Sequence, residues 1–164
     1  MSKKQKLTCF HAFVVTGLLY GLSTLWLVQS QRRRLDGFHA RSLRRIQSIP
    51  ASYVSRVSNR VVFERAAVVP LSAQLLRQQL VLMGRVARAP PGDPLRRDTF
   101  IGQSLRPAVT QYIRKVGRPC QNWTEEVRKE GASRCGGYNV FEDLITTSSH
   151  NVWRQHLQRV FAAR

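Results

Sequence analysis

Residues 33–46, RRLDGFHARSLRRI, decide the fold class, because their apolar and basic side chains repeat with the period of an α-helix. At roughly 100° per residue, the apolar side chains Leu35, Phe38, Leu43 and Ile46 fall on one side of the helix. Five arginines occupy an arc of about 120° on the other side: Arg33, Arg34, Arg41, Arg44 and Arg45. We therefore expect one face to pack in a core and the other to be a cationic face.

The same design occurs again downstream. Pro50 is expected to end the first helix, since proline disfavours helical geometry in the residue before it. A second helix is predicted to begin with Ser72 as N-cap after Pro70 and to run to about Arg88. Its apolar seam is Leu76, Leu80, Met83 and Ala87, and an arc of about 80° beside the seam holds Arg77, Arg85 and Arg88. Residues 58–66, SNRVVFERA, predict a short capped helix between the two.

The remaining chain is punctuated by proline and glycine. Residues 89–94, APPGDP, predict a loop and the best internal boundary, and residues 98–112 show no clear period. Gly117, Arg118 and Pro119 predict a turn, Trp123 and Val127 a short helix, and residues 131–137, GASRCGG, a flexible break. Residues 139–163 predict one or two helices, with a restart at serine 148 or 149.

These patterns predict an all-α protein, a small helical bundle with an irregular Pro/Gly-rich middle segment. The expected segments are an apolar helix at 1–31, a basic helical module at 32–88, a linker and irregular segment at 89–120, and a C-terminal helical segment at 121–164.

Charge narrows the classes of partner. The 164 residues carry 27 Lys and Arg against 9 Asp and Glu, a formal charge of +18, and residues 32–97 alone carry +11. A length of 164 excludes a large multidomain enzyme, and a 43% hydrophobic content excludes a disordered basic tail. The expected partners are polyanions, either nucleic acid or an anionic membrane surface.

The N-terminal segment leaves two interpretations open. Residues 7–30 contain no ionised side chain, and a 24-residue helix is long enough to cross a bilayer. The segment also holds several polar residues and has basic residues at both ends, so a buried core helix is the competing interpretation. Gly17 and Gly21 have GxxxG spacing, a helix-pairing pattern of low specificity.

Six short motifs occur in a particular order along almost the whole chain. They are Leu18-Leu19-Tyr20-Gly21 with Trp26; Leu35-x-x-Phe38 with Leu43-Arg44-Arg45-Ile46; Ser58-Asn59-x-x-Val62; Pro70-Leu71 with Leu82-x-Gly84-Arg85-Val86-x-Arg88; Gly117-Arg118-Pro119 with Trp123; and Trp153-Arg154. This order resembles the thumb and post-polymerase region of LINE-type (non-LTR) retrotransposon reverse transcriptases. The chain departs from that family's pattern at Ser23, Arg85 and Cys120.

The resemblance implies a non-catalytic C-terminal remnant that binds RNA or DNA through the phosphate backbone, without sequence specificity. Polymerases of this family hold two metal ions with adjacent palm aspartates, and this chain lacks such a pair; Glu142 and Asp143 are interpreted as a solvated helix face. We therefore expect no enzymatic activity, a nuclear or cytoplasmic location, and the missing polymerase core as a further partner. The alternative is a small single-span membrane protein with a basic cytosolic domain.

No metal or cofactor is predicted. Cys120, Cys135, His150 and His156 are separated by 15, 15 and 6 positions, without a CxxC motif, and three cysteines give no disulfide framework. His11 and His39 are interpreted as packed histidines. Five aromatic residues could stack on unpaired bases, and the tryptophans among them are more simply core residues: Trp26, Trp123, Trp153, Tyr112 and Tyr138. The predicted phosphate-binding residues are Arg33, Arg34, Arg41, Arg44, Arg45, Arg77, Arg85, Arg88 and Arg118.

Overall fold

A computed structural model describes residues 1–102, 104–108 and 122–162. The elements are α1 (Lys3–Cys9), a π-helical segment (Phe10–Val15), α2 (Thr16–Leu22), α3 (Gln29–Gln47), α4 (Ser52–Ser55), α5 (Asn59–Ala66), α6 (Leu71–Ala87), α7 (Pro94–Thr99), α8 (Trp123–Cys135), α9 (Tyr138–Thr147) and α10 (His150–Ala162). Among these residues the only β-pairing is one antiparallel bridge, between Phe100 and Pro107. The all-α prediction is confirmed.

The chain forms two compact units, residues 1–76 and residues 77–164. The division falls inside α6, rather than at the Pro/Gly-rich loop 89–94 that the sequence favours. The reason is that the first turns of α6 supply core residues to the first unit, while its later turns supply core residues to the second. The proline and glycine residues at 89–94 mark a turn of the chain. Such a turn need not coincide with the boundary between two cores.

The N-terminal segment packs with one face only. Val15 and Leu19 are buried in the first unit's core with Leu71 and Leu75 of α6. Partly buried side chains surround this cluster: Phe10, Leu22, Leu27 and Leu35. The opposite side of α2 and of the π-helical segment remains exposed. Within the residues described, the structure contains no helix with the length and apolar character needed to cross a membrane.

Helix α3 ends before Pro50, as predicted. Its C-cap is Ser48, which has the left-handed value φ = 59° and donates its backbone N–H to the carbonyls of Arg44 and Arg45. The predicted short helix is also present as α5, where the hydroxyl of the N-cap Ser58 accepts a hydrogen bond from the backbone N–H of Val61.

The start of α6 differs from the prediction. The helix begins at Leu71, and the carbonyl of Pro70 accepts from Ala73 and Gln74, so Ser72 is not the N-cap. Asp36 of α3 instead accepts hydrogen bonds from the backbone N–H and the hydroxyl of Ser72. A carboxylate from another helix therefore satisfies a donor in the first turn of α6.

The second unit is built around aromatic side chains. Trp153 of α10 is fully buried, and its indole Nε1 donates to the carbonyl of Leu80 at 3.0 Å. Phe141 of α9 meets Trp153 edge to face, with ring centroids 5.9 Å apart. The prediction of a restart near serine 148 or 149 is confirmed, since α9 ends at Thr147 and α10 begins at His150.

The flexible break predicted at residues 131–137 is wrong. Helix α8 continues to Cys135, and Gly131 is buried against the ring of Phe141. The break is limited to Gly136 and Gly137, whose φ values of +90° and +134° require glycine and turn the chain into α9. Glycine at 131 therefore provides close packing between α8 and α9.

The 89–94 loop leads into a helix that the sequence did not predict. Asp93 caps α7, its carboxylate accepting hydrogen bonds from the backbone N–H groups of Leu95 and Arg96. Beyond α7, the predicted irregular segment begins with the bridge at Phe100.

Candidate nucleic-acid interface

Three arginines and one phenylalanine line the exposed side of α3. Arg34, Phe38, Arg41 and Arg45 are spaced i, i+4, i+7 and i+11, so they follow one another along the helix; we call them the basic stripe. All three arginines are exposed, and Phe38 is 38% exposed. At about 1.5 Å per residue the stripe is about 16 Å long.

The charge of the stripe is not neutralised within the part of the chain that the structure describes. Among residues 1–102, 104–108 and 122–162, none of its arginines has a carboxylate within 4.0 Å, and their only polar contact is from Arg41 Nε to the carbonyl of Gly37. The first unit has two acidic residues: Asp36 is bonded to Ser72, and Glu64 is paired with Arg60. Twelve Lys and Arg give this unit a formal charge of +10.

The predicted exposed position of Arg44 is wrong. This side chain is only 5% exposed, and its guanidinium holds the chain that returns beneath α3. Its acceptors are the carbonyls of Pro50 and Val57, Ser55 Oγ at 3.4 Å and Asn59 Oδ1 at 3.1 Å. The helical wheel places Arg44 about 20° from Arg33, but it contains no information on where residues 50–59 pack.

Arg33 is exposed, as predicted, but lies outside the stripe. It is about 100° around the helix from Arg34, so it adds to the potential around α3 without lining the same edge. Phe38 is the residue that the sequence reasoning assigned differently, to the packing face. The same wheel places it about 20° from Arg45, and this angle indicates that Phe38 is partly exposed, although its ring also lies 6.4 Å from that of Phe10.

Arg77 and Arg85 of α6 and Arg88, directly after its end, belong to the second unit and differ in exposure and contacts. Arg85 is exposed and Arg77 is half-buried. Arg88 is also half-buried, and its Nη1 donates to the carbonyl of Ile145 near the end of α9 at 2.8 Å. Burial lowers the pKa of the Arg88 guanidinium. This hydrogen bond gives Arg88 a structural contact with α9, whereas the sequence predicted that it binds phosphate.

The aromatic residues that could stack on bases also differ in their exposure. Trp153 is a core residue, as expected. Trp26 is half-buried and lies beneath Arg32, with the guanidinium carbon 4.0 Å from the ring centroid. Tyr138 is exposed at 45%, with Arg128 over its ring at 4.7 Å. Arg118 lies outside the described residues, as do Tyr112 and Cys120.

The histidines and cysteines form no metal centre in the described ranges, where no group of three His, Cys, Asp or Glu side chains is placed to bind an ion. Cys135 Sγ is 3.8 Å from His156 Nε2, and burial raises the pKa of this thiol, which disfavours the thiolate. His39 is fully buried between Phe10 and Phe63, and burial is the main cause that lowers its pKa to about 4.

The geometry fits electrostatic contact with a polyanion. Planar guanidinium groups bind phosphate oxygens through paired N–H donors, and the exposed part of Phe38 offers an aromatic surface that an unpaired base can contact. Comparison with protein-family models, with curated protein sequences and with solved structures finds no match. The candidate interface is therefore defined by the residues of this chain alone.

Proposed function

We propose that this chain is a non-catalytic nucleic-acid-binding module that holds RNA or DNA by its phosphates. The observation that carries the proposal is the basic stripe: three exposed arginines with no carboxylate partner among the described residues, with an exposed phenylalanine between them, on one edge of α3. The order of motifs along the chain supports an origin as the C-terminal remnant of a LINE-type reverse transcriptase. The polymerase core of that family is the protein partner that this origin implies.

The stripe favours a single-stranded ligand. Contacts to phosphate provide affinity without reading the base sequence, so we expect little sequence preference. Phe38 adds a base-stacking contact that a fully paired duplex does not offer. We therefore expect single-stranded RNA or DNA to bind more tightly than a duplex of the same length.

The positions of the acidic residues support a module without polymerase activity. The adjacent acidic pairs Glu125–Glu126 and Glu142–Asp143 both lie within helices, α8 and α9. Neighbouring residues on a helix point about 100° apart, so their carboxylates do not converge on a shared pair of ions. Glu142 is in addition paired with Arg128. A primer-extension assay with the purified chain should show no nucleotide addition, and synthesis would overturn this part of the proposal.

Fluorescence anisotropy with a labelled single-stranded RNA tests the binding proposal. The variant Arg34→Gln/Arg41→Gln/Arg45→Gln removes three charges from the stripe. The matched control Arg56→Gln/Arg60→Gln/Arg65→Gln removes three charges from exposed side chains elsewhere in the same unit. We expect the stripe variant to lose at least about tenfold in affinity beyond the control, since each charged contact is worth about 1 kcal/mol or more. Equal losses in the two variants would show that only net charge matters and would overturn the assignment of the site.

A further inference from the structure

A second exposed surface of the first unit is apolar. Phe13 is 81% exposed and Tyr20 is 86% exposed, and both point away from the side of the helix that buries Val15 and Leu19. Between them, a Cβ added at Gly17 would meet no atom within 4 Å, so the backbone there is open as well. We call this surface the N-terminal apolar face; its members are Phe13, Gly17, Tyr20 and Gly21.

Other large side chains extend the exposed apolar area around this face: Val14, Leu18 and Leu25 are 39%, 36% and 54% exposed. Apolar patches of this kind are uncommon on monomeric proteins and mark interaction sites. The cluster is therefore unlike a single exposed apolar residue, which needs no explanation.

The charges around this face select one class of partner. Residues 1–35 contain no Asp or Glu, and the first acidic residue, Asp36, accepts hydrogen bonds from Ser72. Lys3, Lys4 and Lys6 are exposed on α1, directly before the apolar face. A surface with exposed aromatic and aliphatic side chains, a cluster of lysines and no carboxylate complements an anionic lipid surface.

We propose that the N-terminal apolar face binds the surface of a bilayer that contains anionic lipid, with α1 and α2 lying along the headgroups. In this arrangement the ring of Phe13 enters the boundary of the acyl chains. The phenol of Tyr20 keeps its hydroxyl among the headgroups, a position that amphipathic aromatic rings favour. The lysines of α1 contact lipid phosphate and carboxylate groups. This binding is separate from the nucleic-acid contacts of the basic stripe.

A second copy of the chain is the competing occupant, and the charge pattern disfavours it. The GxxxG spacing of Gly17 and Gly21 pairs helices in parallel. Parallel pairing through this face would align Lys3, Lys4 and Lys6 of one copy with the same lysines of the other, and like charges at that distance repel. An anionic lipid surface removes this repulsion and buries the same aromatic rings.

Co-sedimentation of the full chain with vesicles tests the proposal. Vesicles of phosphatidylcholine with phosphatidylserine should pellet the protein, and vesicles of phosphatidylcholine alone should leave most of it in solution. The double variant Phe13→Ser/Tyr20→Ser should lower binding to the mixed vesicles at least about tenfold, because two rings no longer leave water. The matched control is Tyr53→Ser/Val54→Ser, which removes exposed side chains of α4 with exposures of 86% and 62% and should bind as the parent does.

Charge and oligomeric state complete the test. Lys3→Gln/Lys4→Gln/Lys6→Gln should reduce binding about fivefold per lysine, and added salt should reduce it further. The affinity of Phe13→Ser/Tyr20→Ser for RNA should equal that of the parent chain, so failure of this proposal is distinguishable from failure of the nucleic-acid proposal. Vesicle binding unchanged by the serine variant would overturn the proposal. So would a chain that does not bind mixed vesicles and forms a dimer that the serine variant abolishes.

Discussion

Asp36 of α3 accepts two hydrogen bonds from Ser72 at the start of α6, one from the backbone N–H at 2.8 Å and one from the hydroxyl at 2.6 Å. The two residues are 36 positions apart, so this pair fixes α3, which holds the basic stripe, to the helix whose first turn enters the same core. It is a charge-assisted cap provided by another helix.

We expect Asp36→Asn to lower the free energy of unfolding by about 1–2 kcal/mol, because an amide is a weaker acceptor and interacts less favourably with the N-terminal end of a helix. Urea denaturation followed by circular dichroism measures the change. Asp93→Asn, which weakens the cap of α7 in the second unit, is the comparison. A first unit whose unfolding midpoint does not respond to Asp36→Asn would contradict the assigned role.

Arg44 and Arg45 are neighbours in sequence, but Arg44 is expected to stabilise the fold and Arg45 to bind RNA. Substituting each one in turn distinguishes the two roles. Arg44→Gln should destabilise the first unit by about 2–3 kcal/mol, because the buried guanidinium of Arg44 is lost and partly buried carbonyls of the 50–59 segment lose a charged donor. Arg45→Gln should leave stability within about 0.5 kcal/mol, since its side chain is exposed.

RNA affinity, measured at a temperature where each variant is folded, should show the reverse order. Arg45→Gln should bind more weakly than the parent chain, and Arg44→Gln should bind as the parent does. Weaker binding by folded Arg44→Gln than by Arg45→Gln would contradict the placement of these two side chains.

His39 gives the first unit a pH-dependent stability. Its pKa is lowered from 6.5 to about 4 by burial first and by His11 second, while Asp36 opposes the shift. The folded chain therefore binds fewer protons than the unfolded chain between about pH 6.5 and pH 4. The free energy of unfolding is therefore unaffected by His39 above about pH 6.5. It falls by up to about 3 kcal/mol as the pH drops from 6.5 towards 4.

His39→Leu should flatten this part of the profile, because the leucine has no proton to bind. The exposed His150 provides the control, and His150→Leu should leave the slope as in the parent chain. Thermal melts across this pH range measure both. A slope that persists in His39→Leu would assign the pH dependence to other groups.

Two glycines in helices should respond to alanine in opposite directions. A Cβ at Gly131 would lie 2.4 Å from Cε2 of Phe141 and 2.9 Å from Cδ2 of Leu80, so Gly131→Ala should destabilise the second unit by about 1–3 kcal/mol. A Cβ at Gly37 of α3 would meet no atom within 4 Å, so Gly37→Ala should stabilise the first unit by about 0.5–1 kcal/mol. Differential scanning calorimetry measures both, and the same sign for the two would contradict the packing described.

Local patterns predicted the helices, and contacts between distant residues account for the differences. The period of residues 33–46 was sufficient to predict α3, and Ser58 was sufficient to predict the start of α5, because both depend on residues close in sequence. The burial of Arg44, the cap that Asp36 provides and the close approach of Gly131 to Phe141 depend on partners 6 to 36 positions away. A helical wheel gives the direction of a side chain, but the fold decides whether that direction leads to solvent.

The central claim is that the arginines of the basic stripe bind phosphate, and the salt dependence of RNA binding tests it most directly. The logarithm of the dissociation constant should be plotted against the logarithm of the salt concentration for the parent chain and for Arg34→Gln/Arg41→Gln/Arg45→Gln. If the three arginines neutralise three phosphates of a single strand, the slope should fall by about 2 in the variant. The same slope in both proteins would contradict the claim.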